Sequence, residues 1–318
     1  MGANRAAMTA PVLFPVHEAI ENAVSILRAG GLVAMPTETV YGLAADAANP
    51  DAVAAIYTVK ERPVFNPLIA HVASQDAAFA QGDFSDKART LAAAFWPGPL
   101  TLVVNATAQT TVCDLARAGL ETLALRVPAH PIARALLEAF GGPLVAPSAN
   151  PSGRISPTRA EHVATDMGEK IDLILDGGAC EQGIESTVID ARGETPVLLR
   201  RGTITPDQIE TVWPGLAEGG DEGRPVSPGQ LLRHYAPDAA LRLNADAPEP
   251  GEAFLGFGPG EATANLSATG DLAEAAANLF AMLRALDRTH DRIAVAPIPM
   301  EGLGAAINDR LVRAANRR

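Results

Sequence analysis

Two cysteines, three lysines and six histidines are all that this chain of 318 residues offers to several common chemistries. Cys113 and Cys180 lie far apart and fit no C-x-x-C spacing, which argues against a disulfide framework and a zinc site. None of the lysines follows a glycine, the histidines show no metal-ligand spacing, and no serine sits in a G-x-S-x-G elbow. A P-loop ATPase, a zinc hydrolase and a serine hydrolase are therefore set aside. Gly256-Phe257-Gly258-Pro259-Gly260 has the wrong final spacing for a dinucleotide site. No apolar run approaches the roughly 18 residues that span a bilayer. Arg5 is followed by no signal-type apolar region or convincing cleavage site, so a cytoplasmic protein without a membrane segment is expected. Charge is also scarce: 19% of residues are charged, the net charge is −12, and residues 1–212 and 213–318 are each acidic. Gripping a nucleic-acid backbone calls for a basic stripe, so tight autonomous RNA binding is not expected. The few cations have to be read one by one.

What is present is a core-rich chain, 47% hydrophobic, long enough for two domains or one with an extension. Its most chemical stretch is Met35 to Leu43, Met-Pro-Thr-Glu-Thr-Val-Tyr-Gly-Leu. It follows the apolar run Gly31 to Ala34, which reads as a buried strand ended by Pro36. Two threonine hydroxyls, a carboxylate and a phenol then fall within five residues, in a loop of the kind that binds ligands at strand ends. A polar turn that caps the next element is the alternative, and packing alone could explain Tyr41 and Glu38.

Along the chain, His17 to Ala29 reads as a helix, and Asn49-Pro50 caps another that runs to Lys60. Lys60 and Arg62 stand at its end, where they either complement the helix dipole or serve a site held by Pro63 and Pro67. Strands are expected at Leu68 to Val72 with His71, Leu100 to Val104, Thr122 to Val127, Leu144 to Ala146 and Val188 to Asp190. A lone strand histidine is more often structural than functional. Arg126, inside an apolar strand, must face solvent or pair with an anion. Thr158 and Glu161 predict a capping box for the helix after them. Strands alternating with helices across short glycine-rich joints indicate an α/β domain. Pro214 to Gly229, rich in Gly, Pro and acid, reads as a linker. A second, smaller α/β unit follows, with strands at Leu241, Ala253 and Ile293 and helices at Asp271 to Leu286 and Leu303 to Arg313. Cations from separate elements, Lys60, Arg62, Arg126 and Arg200, suit a polyphosphate; the hydroxyl loops at Thr39, Ser148 and Ser186 suit a small polar metabolite.

Eight blocks in one order carry a resemblance: Pro36 to Leu43, Lys60-x-Arg62-Pro63 with Asn66-Pro67-Leu68, Trp96-Pro-Gly-Pro-Leu-Thr, Leu-Arg126-Val-Pro, Ala146-Pro-Ser-Ala-Asn150, Glu185-Ser-Thr, Leu198-Leu-Arg-x-Gly202 and His234-Tyr-Ala-Pro. The chain resembles the two-domain threonylcarbamoyl-AMP synthases. The resemblance implies a YrdC-like twisted sheet with flanking helices (1–212), a linker or lid (213–237) and a smaller Rossmann-like α/β accessory domain (238–318). It implies a reaction in which L-threonine, bicarbonate and ATP give threonylcarbamoyl-AMP and pyrophosphate, feeding downstream proteins that transfer threonylcarbamoyl to tRNA. It places threonine at Thr39, His71, Arg126, Ala146 and Ser186, and ATP at Lys60, Arg62, Asn66, Thr122, Ser148, Ser156, Arg200 and Tyr235, with Lys60 and Arg62 as the catalytic cations. Magnesium is expected on the phosphates, with no ligands assigned, and Tyr235 is expected to reach back to the nucleotide as the linker closes. The rival expectations are a carbamoyl-adenylate-forming carbamoyltransferase, against which the missing zinc-finger cysteines count, and a non-catalytic double-stranded RNA or ribosome-binding module.

Overall fold

A computed structural model describes residues 12–13, 17–219 and 234–316. Among them a 12-stranded sheet runs, edge to edge, Val12–Leu13, Leu173–Leu175, Val33–Met35, Gly42–Asp46, Leu144–Val145, Ile69–His71, Thr122–Arg126, Leu100–Ala106, Thr187–Asp190, Val197–Arg200 and Ala217–Glu218, with Gly82–Asp83 paired to Leu100–Ala106 off this path. The sheet is mixed. Ile69–His71 and Thr122–Arg126 pair in parallel with His71 opposite Arg126, while Leu144–Val145 is antiparallel to both of its neighbours. Side chains alternate across the pleat, so one face packs Ala34, Leu43, Ala45, Ala70, Leu125 and Val145 into the main core. On the opposite face the helices His17–Arg28 and Pro131–Phe140 cover Val33, Met35, Ala44 and Leu144. Beside them that face carries only a small cluster, Ile69, Val103, Ala124 and Val188.

Local chemistry explains the elements that matter most. Asn49 accepts from the Asp51 and Ala52 amides at 3.0 and 3.3 Å, and Pro50 opens the helix Pro50–Lys60. Glu61 ends that helix at φ 53°, a left-handed cap that turns the chain sharply, so that Lys60 and Arg62 on either side of it are both buried. The expected capping box at Thr158 and Glu161 does not form. The helix Ala160–Met167 starts one residue later, on Arg159, which makes no side-chain cap, and the Thr158 amide donates to His162 Nδ1 at 3.2 Å instead. The capping box lies at Thr205 and Gln208, on the helix Pro206–Val212.

Of the expected linker, Ala217–Glu218 extends the large sheet beside Val197–Arg200, and residues 220–233 lie outside the described residues, so the expected lid motion there has no structural account. The second unit is a parallel sheet ordered Ala240–Arg242, Arg292–Val295, Ala253–Gly256, Ala264–Asn265, with the helices Leu272–Asp287 and Leu303–Ala315. Its core of Leu255, Leu279, Phe280, Leu283, Ile293, Ile307 and Leu311 is continuous with Val40, Ile155 and Ile184 of the first unit and with Tyr235. Shared burial of this kind, driven by removal of apolar surface from water, docks the two units firmly.

Candidate active site

The cavity that matters is lined by Thr39, Val40, Arg62, Ile69, His71, Arg126, Ala146, Pro147, Ser148, Glu185, Ser186, Arg200, His234 and Tyr235. Ile69 and His71, two residues apart, share a face of their strand, so the cavity lies over the sheet's sparsely covered face and not only beyond its strand ends. A larger concavity between the helices His17–Arg28 and Pro131–Phe140 is lined by none of the residues expected in the site.

One end of the cavity is built around Arg126. Its Nε donates to Gly98 O at 3.2 Å, one terminal nitrogen to Thr39 Oγ1 at 3.0 Å and the other to Glu38 Oε1 at 2.5 Å. Glu38 also accepts from the Ala129 amide at 3.1 Å; burial raises its carboxyl, but Arg126 outweighs this and holds it below the usual carboxylate range. Glu38 is thus not packing: it fixes the guanidinium. A guanidinium carries five N–H groups, and these three bonds leave one N–H on each terminal nitrogen, the fork that a second carboxylate needs. Thr39 Oγ1 lies 2.9 Å from Thr37 Oγ1, which donates to Val40 O at 2.6 Å, so the opening loop is internally tied. Ser186 Oγ lies 2.8 Å from Thr101 Oγ1 and accepts from Arg200 at 2.9 Å.

His71 lines the cavity, and its Nδ1 is buried with no hydrogen-bond partner among the described residues. Burial, with the charge of Arg126, lowers His71 to about 3, so it is neutral at pH 7. Burial likewise lowers His234 to about 3. Unfolded histidine titrates near 6.5. Below that pH the unfolded chain binds protons that the folded protein refuses, so stability falls as pH drops from about 6.5 toward 3, by ~1.4 kcal/mol per pH unit for each of the two. Urea titrations at pH 7 and pH 5 are expected to show this loss, and His71→Gln should make it shallower. An unchanged slope in that variant would mean that His71 is not held neutral.

The other end is a cluster of buried cations. Burial, with the nearby Arg200, lowers Arg62 to about 10; burial also lowers Arg200, and it lowers Lys60 well below the ordinary lysine value, with Arg62 adding to the effect. Like charges gathered out of water in this way favour an anion between them. Arg62 donates to Asn66 O and Pro67 O at 3.3 and 3.0 Å, and Arg200 to Ser186 O at 3.0 Å.

Nine of the expected residues therefore converge: Thr39, His71, Arg126, Ala146 and Ser186 at one end and Arg62, Ser148, Arg200 and Tyr235 at the other. Four do not line the cavity. Lys60 Nζ is taken up by the carbonyls of Ser148 and Asn150, which pins the Pro147–Asn150 loop from behind. Asn66 supports Arg62 through its carbonyl, its side-chain Oδ1 being buried without a partner. Ser156 donates to Glu185 Oε1 at 2.5 Å. Thr122 begins the strand that Arg126 ends, roughly 13 Å away at 3.3 Å per residue. Val40, Ile69, Pro147, Glu185 and His234 line the cavity without having been assigned a role, although all but Ile69 lie within the quoted blocks.

Hydroxyls and an arginine fork beside buried cations and a neutral histidine define an α/β protein with a cavity suited to anions. Comparison with known proteins makes this specific. The Sua5/YciO/YrdC family model, described as telomere recombination, matches residues 25–202, and the threonylcarbamoyl-AMP synthase C-terminal domain matches 204–316. The chain is 40% identical to the threonylcarbamoyl-AMP synthase of Bacillus subtilis, over 94% of this chain and 93% of that one, and 40% identical to that of Pyrococcus abyssi, over 96% and 98%. The structure of P. abyssi Sua5 complexed with L-threonine superposes with a TM-score of 0.88 at 38% identity, covering 96% of this chain and 98% of that one. Escherichia coli YciO matches at a TM-score of 0.54 and 27% identity, over 61% of this chain and 96% of its own. The chain belongs to the threonylcarbamoyl-AMP synthase family.

Proposed function

We propose that the cavity joins L-threonine, bicarbonate and ATP into threonylcarbamoyl-AMP with release of pyrophosphate, for the threonylcarbamoyl modification of tRNA. The observation that carries this reading is the Arg126 fork: a buried guanidinium already anchored by Glu38 and Thr39, with an N–H left on each terminal nitrogen. The α-carboxylate of threonine fills that fork, with Ser186 and the Ala146 backbone alongside. Neutral His71 lines the same cavity and offers the substrate a hydrogen bond. Protonated bicarbonate loses water to give carbon dioxide; the threonine amine, having lost its ammonium proton, adds to that carbon and gives up a second proton, leaving a carbamate. A carbamate oxygen then attacks the α-phosphorus of ATP as the bond to the leaving pyrophosphate breaks. This displacement asks the protein for positioning and for cations where charge accumulates. Arg62 and Arg200 supply them, Ser148 and Tyr235 flank the nucleotide, and Lys60 acts by holding the Ser148 loop. Magnesium bound to the triphosphate would neutralise part of its charge. Among the described residues no three His, Cys, Asp or Glu side chains group to cage a cation, which suits an ion held mainly by phosphate oxygens.

In this reading residues 1–212 form the catalytic unit, 213–237 join it to the accessory unit 238–318, and the product passes to tRNA-modifying transfer proteins in the cytoplasm. No helix among the described residues is long and apolar enough to cross a membrane. The test is pyrophosphate release by purified protein, expected only when ATP, L-threonine and bicarbonate are all present. Equal turnover with carbamoyl phosphate and no threonine would support a carbamoyltransferase instead.

A further inference from the structure

The accessory unit reaches the cavity wall through a residue with no motif around it. Arg310, on the helix Leu303–Ala315, is fully buried, an unusual position for an arginine. Its Nε donates to Glu185 Oε2 at 3.1 Å, and one terminal nitrogen donates to Asp309 Oδ2 at 3.1 Å. The other terminal nitrogen is buried with no partner among the described residues. The guanidinium carbon lies 5.5 Å from the centre of the Tyr235 ring, which also stacks on Phe280 at 5.3 Å. Glu185 and Tyr235 both line the cavity, and the second oxygen of Glu185 holds Ser156.

Two further contacts bear on the same loops. Gly183, at φ +69°, lies against the helix Leu272–Asp287 so closely that an added Cβ would meet Ala276 O at 2.4 Å. Arg284, on that helix, donates to Ser156 O at 3.3 Å and to Ile155 O, and is itself held by Asp166 at 2.6 Å. The accessory unit thus fixes the segments 155–156 and 183–186, of which Glu185 and Ser186 line the cavity.

We propose that Arg310 is a positioning residue for the nucleotide end of the site, locking Glu185 and the Tyr235 ring from behind, and that this is why the catalytic unit carries an accessory domain. The proposal rests on the reading that Arg200, Ser148 and Tyr235 hold ATP. It does not place Arg310 against substrate. A buried charge pair is seldom the most stable filling of a core, but it fixes geometry, and losing one partner leaves the other charge exposed to the full cost of burial.

The test uses the full-length protein. Arg310→Met is expected to raise the KM for ATP at least tenfold while the calorimetric Kd for threonine changes less than twofold, and Arg310→Lys to recover part of the loss. Adding Glu185→Gln to Arg310→Met removes both charges and should restore thermal stability but not the KM for ATP. A wild-type KM for ATP in folded Arg310→Met would reduce the residue to an interface brace and overturn the proposal. If that variant does not fold, a wild-type KM in the double variant overturns it equally. Failure of the wild-type protein to bind ATP at all would strike the nucleotide reading itself and is scored separately.

Discussion

Arg126→Ala is expected to weaken threonine binding by about 10- to 150-fold, the equivalent of a charge-assisted contact of about 1.5–3 kcal/mol, with ATP affinity changed far less. The same substitution should destabilise the protein by about 3–5 kcal/mol, because Glu38, almost fully buried beside it, loses its counter-charge. The two effects separate in a second variant. Arg126→Ala with Glu38→Gln leaves no orphaned charge, so urea stability should recover much of its loss while threonine affinity does not. Calorimetry that found wild-type threonine affinity in a folded Arg126→Ala protein would remove the carboxylate fork from the mechanism.

Lys60→Met is expected to reduce adenylate formation by at least about 100-fold, through geometry and not through threonine binding. Its ammonium holds two carbonyls, those of Ser148 and Asn150, and a buried carbonyl left unpaired costs about 1–3 kcal/mol, enough to let the loop reshape. Stability should fall less than this suggests, because removing Lys60 also relieves its repulsion with Arg62. Lys60→Arg is the informative companion: its planar fork keeps the charge but cannot converge on both carbonyls as a compact ammonium does. Full activity in Lys60→Arg would show that charge alone matters, and full activity in Lys60→Met would exclude both roles.

Much of the fold could be read along the chain, since the forces that set it are local. The Asn49-Pro50 cap, the helix ended by Gly141 and the buried strands each follow from a few adjacent residues. So does the suspicion attached to Arg126, because an arginine between Leu125 and Val127 needs either solvent or an anion. The blocks also marked most of the cavity: twelve of its fourteen lining residues fall within them, Ile69 and His71 being the exceptions. The capping box at Thr158 failed for an equally local reason: a one-residue shift of the helix start gave its amide to His162.

The remainder depends on partners distant in sequence, which no local pattern encodes. Glu38 meets Arg126 across 88 positions, and only that meeting turns a polar turn into a guanidinium anchor. Lys60 faces carbonyls 88 and 90 residues away, so its charge goes to a loop and not to the cavity surface. Arg310 reaches Glu185 from 125 residues off, and nothing in its own helix names that partner. Composition and periodicity determined which segments would be strands, helices and loops. Which buried charges neutralise one another, and hence which cations are left to meet a substrate, was decided by tertiary packing, because Coulomb energy depends on distance through the folded protein and not along the chain.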